Sequence, residues 1–534
     1  MMNRRQFIKV AGLATAALAV PGCSTDTNFF SHRPSTTKPN ILLIMADDMG
    51  FSDIGCYGGE INTPNLDKLA AGGIRFTQFY NAARCCPTRA SLLTGLYPHQ
   101  AGMGGMVNNG ADISPPGPYQ GYLNDKCLTI AEVLKNAGYQ TFMSGKWHVG
   151  ESRPHWPTDR GFDKYFGLIS GAANYFDITK PGSKNRIRQM AIDDKPYMPP
   201  KDNFYMTDAI TENALKHLDS SYQKEKPFFL YVAYTAPHWP LHALPEDIAK
   251  YKGTYLEGWD KLRKKRYERQ LKMGIIDKKW PLTPRDQNAF AWEKVENKEE
   301  MDLKMAVYAA QIDRMDQGVG KILNKIKALG QQQHTLVLFL SDNGGCHEGG
   351  PWGFDWRKNG LPPGGADSYM SYGLSWANLS NTPFRRYKHW VHEGGIAAPL
   401  IAYWPAVIKN KNSITHQTGH ITDIMATCVD IAQTNYPENY NGRRITPLEG
   451  KSLLPIFRGE KRRGHNTLYW EHMGNRAIRS GKWKLVSVRE GKWELYDIEA
   501  DRTELNDLAH KYPKKTEQLK TMYESWAKRC GVRL

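Results

Sequence analysis

Four short apolar runs, each broken off by charged or imidazole-bearing residues, constrain this chain more than any other feature. Asn40 to Met45 runs into Asp47-Asp48. Tyr139 to Ser144 delivers Lys146 and His148 in Gly-Lys-Trp-His-Val-Gly. Pro227 to Tyr234 delivers His238 in Ala-Pro-His-Trp-Pro, and Thr335 to Leu340 delivers Asp342-Asn343 before two glycines. Runs of this length bounded by turn signals read as buried strands. Between them lie segments of helical period, at Leu128–Asn136, Met206–Leu218 and Met305–Leu329. Alternation of the two predicts an α/β fold, a large mostly parallel sheet with helices on both faces. In such sheets ligands bind outside the carboxyl ends of the strands. The residues that follow the four runs are therefore expected in one place.

Singly, each of these residues has a bland reading. An aspartate pair can cap a turn, and a lone buried histidine is commonly a hydrogen-bonded structural residue. Recurrence at four strand ends favours a shared site. Adjacent carboxylates beside a buried strand are costly unless a cation neutralises them. Asp47, Asp48, Asp342 and Asn343 offer only oxygen, which suits calcium or magnesium rather than zinc.

The stretch Tyr80 to Gly95 carries the other strong signal. It reads as a turn, then a helix opened by Pro87 at its first position and closed by Gly95. Cys85 then sits at or just before a helix N-terminus, where the dipole favours an anionic centre. Arg89 lies about one turn on, on the side that reaches back to Cys85. By spacing alone, Cys85-Cys86 also reads as a disulfide participant or two buried thiols.

The full string Cys85-Cys86-Pro87-Thr88-Arg89, continuing through Leu92, Leu93, Thr94 and Gly95, resembles the signature of the type I sulfatases, of the alkaline phosphatase superfamily. The resemblance implies that Cys85 is oxidised after synthesis to Cα-formylglycine, whose hydrate is the nucleophile, and that Cys86 fills the variable position. It implies one divalent cation, calcium rather than magnesium, held by Asp47, Asp48, Asp342, Asn343 and the modified Cys85. Asn381-Thr382-Pro383-Phe384-Arg385-Arg386-Tyr387-Lys388, before Val391-His392-Glu393-Gly394-Gly395, is similar to the family segment with a sulfate-contacting lysine, which places Lys388 in that role. The motif matches imply that Arg89 holds the hydrate, Lys146 stabilises charge on the sulfuryl oxygens, His238 protonates the leaving alcohol and His148 takes the proton of the second hydroxyl. A formylglycine-generating enzyme would be a partner in maturation.

The implied activity is hydrolysis of sulfate monoesters, of an aryl sulfate or a sulfated carbohydrate. Two alternatives stay open: a phosphonate or phosphate ester hydrolase of the same superfamily, which shares the motif, and a catalytically silent lipoprotein that binds sulfated glycans. Lys plus Arg number 71 against 54 acidic residues, a net charge of +17. The basic residues are dispersed and form no nucleic-acid module, so an anionic small molecule or glycan is the better partner.

Domain expectations follow from composition shifts. Residues 1–23 read as an export signal: Arg4-Arg5 resembles a twin-arginine signal, and the apolar run Val10–Val20 is too short to span a bilayer. Val20-Pro21-Gly22-Cys23 resembles a lipobox, which would make Cys23 the lipidated first residue of a periplasmic or membrane-anchored protein. Residues 24–38 form a Ser/Thr/Pro-rich linker, 39–457 the catalytic domain and 458–534 a small C-terminal subdomain. In the last, Ala477–Val486 and Trp493–Asp497 read as strands of an antiparallel sheet, followed by a helix from Pro513 to Lys528. Within the catalytic domain, 252–300 contains a basic helix from Gly258 to about Met273. It reads either as a solvated surface helix or as part of a lid over the site.

Overall fold

The computed structural model describes residues 38–107, 115–180, 188–222 and 226–533. The export signal, Cys23 and nearly all of the linker lie outside these residues. Among the described residues no helix is long and apolar enough to cross a membrane.

The apolar runs form the middle of one large sheet. Its strands are β1 (Asn40–Ala46), β2 (Ile74–Tyr80), β3 (Gln140–Gly145), β4 (Lys164–Leu168), β5 (Met190–Ile192), β6 (Lys195–Tyr197), β7 (Phe228–Ala233), β8 (Thr335–Ser341), β9 (Ala397–Tyr403), β10 (Ser413–Thr415) and β11 (Gly419–His420). The order is β10-β2-β9-β8-β1-β7-β3-β4-β5-β6, with β11 also on β2. The consecutive pairs from β8 through β4 are parallel. β9 and β5 run antiparallel to their neighbours.

Alternation along β1 divides the interior. Leu42, Ile44 and Ala46 join one buried cluster, and Ile41, Leu43 and Met45 join the other. The first is covered by the helices Pro64–Gly72, Met206–Tyr222 and Lys298–Ala328, the second by Cys85–Thr94, Ile130–Asn136 and Asp423–Ile431. The expected doubly covered, mostly parallel α/β sheet is what the chain forms. The Lys298–Ala328 helix starts seven residues before the apolar periodicity does. Asn297 caps it by accepting from the Glu300 amide, and Glu299 and Glu300 favour its N-terminal dipole.

Three local expectations are corrected. Ala477–Val486 is not one strand. After the hairpin β12 (Asn439–Tyr440) and β13 (Arg443–Arg444), the C-terminal sheet comprises β14 (Thr467–His472), β15 (Asn475–Ser480), β16 (Trp483–Ser487) and β17 (Glu494–Asp497), all antiparallel. Gly481, at φ +56°, turns the chain back between Ser480 and Trp483. The signature helix opens at Cys85, so Pro87 is its third residue rather than its first, and Gly95 closes it at φ +71°. The basic helix Trp259–Met273 is not solvated all round. Arg266 is fully buried, pairing with Asp53 at 2.7 Å and Glu60 at 2.6 Å, and Arg263 donates to the Asn378 and Thr283 carbonyls.

The C-terminal sheet is tied to the large sheet by buried charge. Lys484 lies 2.9 Å from Glu393 and 2.8 Å from Glu504, Arg502 donates to Glu393 at 3.0 Å, and the Tyr80 hydroxyl donates to Glu393 at 2.9 Å. Glu393 opens the short turn that leads into β9. Replacing Lys484 by Met would remove the cation that bridges the two buried carboxylates. It is expected to destabilise the protein by roughly 3–5 kcal/mol, read as a lower thermal midpoint. A midpoint equal to wild type would show that the cluster does not hold the two sheets together.

A pH effect follows from His242. It accepts from the Tyr175 amide through Nδ1 and, through Nε2, donates to the Ser368 carbonyl, which fixes a neutral ring. Burial draws its pKa down to about 4. The unfolded state takes up a proton below about 6.5, the ordinary histidine value, while the folded state does not. Its contribution to stability is therefore present above that value and is lost as pH falls toward about 4. Urea unfolding at pH 7 and pH 5 should show a smaller loss in His242→Gln than in wild type; equal losses would refute the assignment.

Candidate active site

Parallel register brings the strand ends level. Ala46 stands opposite Ser341, Met45 opposite Ala233, and Gly145 opposite Ala233. The residues that follow these ends must share one edge of the sheet. Asp47 donates its amide to the Ala236 carbonyl, and the Asp342 amide donates to Ala46. Asp48 then adopts φ +66°, a left-handed conformation that aspartate tolerates better than most residues, and its amide donates to Asp342 Oδ1 at 3.0 Å. Asn343 Nδ2 donates to Asp48 Oδ1 at 2.7 Å.

Three cations face these carboxylates. Arg89 reaches Asp342 Oδ2 at 3.1 Å and Asp47 Oδ2 at 3.7 Å, and donates to the Lys146 carbonyl at 2.8 Å. Lys146 Nζ lies 2.5 Å from Asp47 Oδ2, and Lys388 Nζ lies 2.8 Å from Asp48 Oδ2. Lys388 is held by its own amide, which donates to the Gly345 carbonyl. Gly344 and Gly394 permit this approach of loops, since a Cβ on Gly344 would stand 1.9 Å from the Gly394 oxygen.

The two histidines contact different groups. His238 donates through Nδ1 to the Trp239 carbonyl at 2.6 Å, and its Nε2 lies 3.3 Å from both Asp48 Oδ2 and Lys388 Nζ. His148, at φ +58°, has a ring nitrogen within 4.8 Å of Cys85 Sγ. Burial pulls its pKa down to about 3, so the ring is neutral. The hydrogen bond with Cys86, then Lys146 and His148, holds the Cys85 thiol well below its ordinary value, against the effect of burial. None of the expected site residues is more than 5% exposed.

The donor set fits a hard cation. Asp47 Oδ1 and Asn343 Oδ1 are buried and accept no hydrogen bond from the protein. Burial pushes Asp47 up to about 7 and raises Asp342 despite Arg89. Burial would raise Asp48 too, but His238 and Lys388 bring it below the ordinary range. Converging carboxylates with unpaired buried oxygens are suited to calcium or magnesium.

The structure adds residues that sequence reasoning missed. Glu348 pairs with Arg84 at 3.0 Å, lies 3.7 Å from Lys388 and accepts from the Trp239 indole at 2.5 Å. Burial would raise the Glu348 carboxyl, but Lys388 and Arg84 hold it well below the ordinary range. The available signal was its place five residues after Asn343, past the Gly344-Gly345 pair, and Arg84 adjoins Cys85 in sequence.

Known proteins resemble this chain over most of its length. The family model described as Sulfatase matches residues 39–434, the model of the N-sulphoglucosamine sulphohydrolase C-terminal region matches 385–529, and the twin-arginine signal model matches 1–21. An uncharacterised sulfatase of Schizosaccharomyces pombe is 35% identical over 86% of this chain and 87% of its own. An arylsulfatase of Klebsiella aerogenes is 34% identical over 80% of this chain and 93% of its own. The crystal structure of Ps i-CgsB in complex with k-i-k-neocarrahexaose superposes with a TM-score of 0.69 at 27% identity, covering 92% of this chain and 93% of its own. The chain belongs to the sulfatase family, with its alkaline phosphatase-like fold.

If the oxygen cluster binds a cation, calcium added to chelator-treated protein should raise the thermal midpoint as its concentration increases. Asp342→Asn should shrink that rise. A midpoint indifferent to both calcium and magnesium would count against the site.

Proposed function

We propose that this chain is an exported hydrolase of sulfate monoesters, releasing an alcohol and inorganic sulfate. The observation that carries the proposal is the convergence of Cys85, at a helix N-terminus beside His148, with an oxygen-lined cluster whose Asp47 Oδ1 and Asn343 Oδ1 are buried without a hydrogen-bond partner. Names of relatives support the substrate class: an arylsulfatase of Klebsiella aerogenes and an N-acetylgalactosamine-6-sulfatase of mouse, 27% identical over 84% of this chain. Aryl sulfates and sulfated carbohydrates are accordingly the substrates to test. The twin-arginine match supports export, with the periplasm or a Cys23 lipid anchor as the destination.

Cys85 Sγ marks the position of the oxygen that formylglycine would carry, installed by a formylglycine-generating enzyme. Asp47, Asp48, Asp342 and Asn343 would hold the cation, calcium in preference to magnesium. When present, the modified residue supplies the nucleophilic oxygen and the cation draws charge from the sulfuryl oxygens. The chain's own residues do the rest. Arg89 fixes Asp342 and Asp47 in place, so the oxygen cluster is pre-organised. Lys146 and Lys388 stand on either side of the carboxylates, where an incoming sulfate would exchange against them as charge develops. His238 keeps its Nδ1 proton on the Trp239 carbonyl, so it acts as the acid only in the imidazolium form, in which Nε2, 3.3 Å from Asp48 Oδ2, carries a second proton and passes it to the departing alcohol oxygen. His148, neutral and beside position 85, accepts a proton there.

Mass spectrometry of the peptide spanning Cys85, from protein co-expressed with a formylglycine-generating enzyme, is expected to show an aldehyde at Cys85 and a thiol at Cys86. Cys85→Ala should abolish turnover of 4-nitrophenyl sulfate. An unmodified Cys85 where a control sulfatase is converted, or turnover retained in the alanine variant, would overturn the proposal. Faster hydrolysis of 4-nitrophenyl phosphate than of the sulfate would move the assignment to a phosphoesterase.

A further inference from the structure

Beside the buried charges stands a group of aromatic rings with no part in the chemistry so far described. The Trp239 ring lies 4.4 Å from that of His238, and its indole nitrogen is pinned to Glu348, which also touches Arg84. Phe354 and Trp356 pack edge-on against Trp239 at 5.3 and 5.0 Å. Trp356 is itself stacked between Phe354 at 4.2 Å and Tyr369 at 5.3 Å. Tyr369, beneath Trp356, is buried, and Trp356 is the most open ring of the group. His238 is 5% exposed, Trp239 is half-buried and Trp356 is 36% exposed.

Packing alone gives a weak reason for this arrangement. A tryptophan left 36% exposed at the edge of a stack buries less apolar surface than the same ring turned inward. The Glu348 bond fixes the Trp239 indole at its polar end, which orients a ring rather than merely burying it. The wall also begins at the residue next to His238, the proton donor to the departing oxygen under the proposed reaction. Whatever carries that oxygen must leave past Nε2 of His238.

Resting on that reading, we propose that Trp239 and Trp356 form the leaving-group subsite, and that the sulfate ester accepted here bears a six-membered ring packed against them. The shared chemistry is a ring with a broad apolar face, which an aryl group and a pyranose both provide. Glu348 is a positioning residue for Trp239. These residues therefore set which alcohol is released, while Lys146 and Lys388 meet only the sulfate.

The test uses full-length protein whose aldehyde content at position 85 has been measured and matched between variants. Trp356→Ala and Trp239→Ala should raise KM for a ring-bearing sulfate by roughly three- to tenfold, while inhibition by inorganic sulfate, which has no leaving group, stays at the wild-type concentration. Trp239→Phe keeps a ring but loses the Glu348 bond, and should fall between wild type and Trp239→Ala. Running 4-nitrophenyl sulfate and 6-sulfated N-acetylglucosamine side by side identifies the source of the ring: the substrate whose KM moves more is the one seated on the wall. The proposal is overturned if both alanine variants keep the wild-type KM for both substrates, or if KM and the sulfate inhibition constant rise together. Absence of turnover in aldehyde-bearing wild type would instead refute the parent reading of sulfate-ester hydrolysis.

Discussion

A buried cluster of carboxylates at the carboxyl edge of a parallel sheet is the constraint on which the rest of this structure depends. Asp47, Asp48 and Asp342 are fully buried within contact of one another, a configuration that desolvation and mutual repulsion both oppose. Arg89, Lys146 and Lys388 answer that charge from three separate segments, and two buried oxygens remain without a hydrogen-bond partner. Much of the surrounding architecture follows from keeping those cations in place. The Cys85–Thr94 helix aims Arg89, the end of β3 aims Lys146, and the loop before β9 aims Lys388.

That last loop explains the reach of the C-terminal sheet into the large sheet. Lys388 and Glu393 belong to one excursion of chain, whose near end packs on Gly344-Gly345 and whose far end is clamped by Lys484 and Arg502. The C-terminal sheet thus fixes the segment that carries Lys388. The glycines at 344 and 394 are required because backbone meets backbone there with no room for a side chain.

Much of this was legible in the chain. The strands β1, β3, β7 and β8 fall where the apolar runs fall, because strands buried on both faces must be continuously apolar and so stand out. Asp47, His148, His238 and Asp342 were found by the same route, each lying just beyond a run. The helix around Lys298 was less visible at its start, since its first turn is polar and only the Asn297 cap marks it. The β15–β16 turn was hidden because a two-residue hairpin needs only Gly481, inside what reads as a continuous strand. The burial of Arg266 was not legible, because a basic helix gives no local sign of buried partners such as Asp53, more than two hundred residues away in sequence.

By itself the sequence determined the strand–helix alternation and the family, and it singled out Cys85 and the oxygen-bearing residues Asp47, Asp48, Asp342 and Asn343 as candidates, because each is encoded in residues close together in the chain. The tertiary structure alone decided which cation faces which carboxylate, how Glu348 joins Arg84, Lys388 and Trp239, and that Trp239, Phe354, Trp356 and Tyr369 form one wall beside His238. Those relations join segments far apart in the chain. They are fixed by sheet register and loop packing, and local composition carries no trace of them.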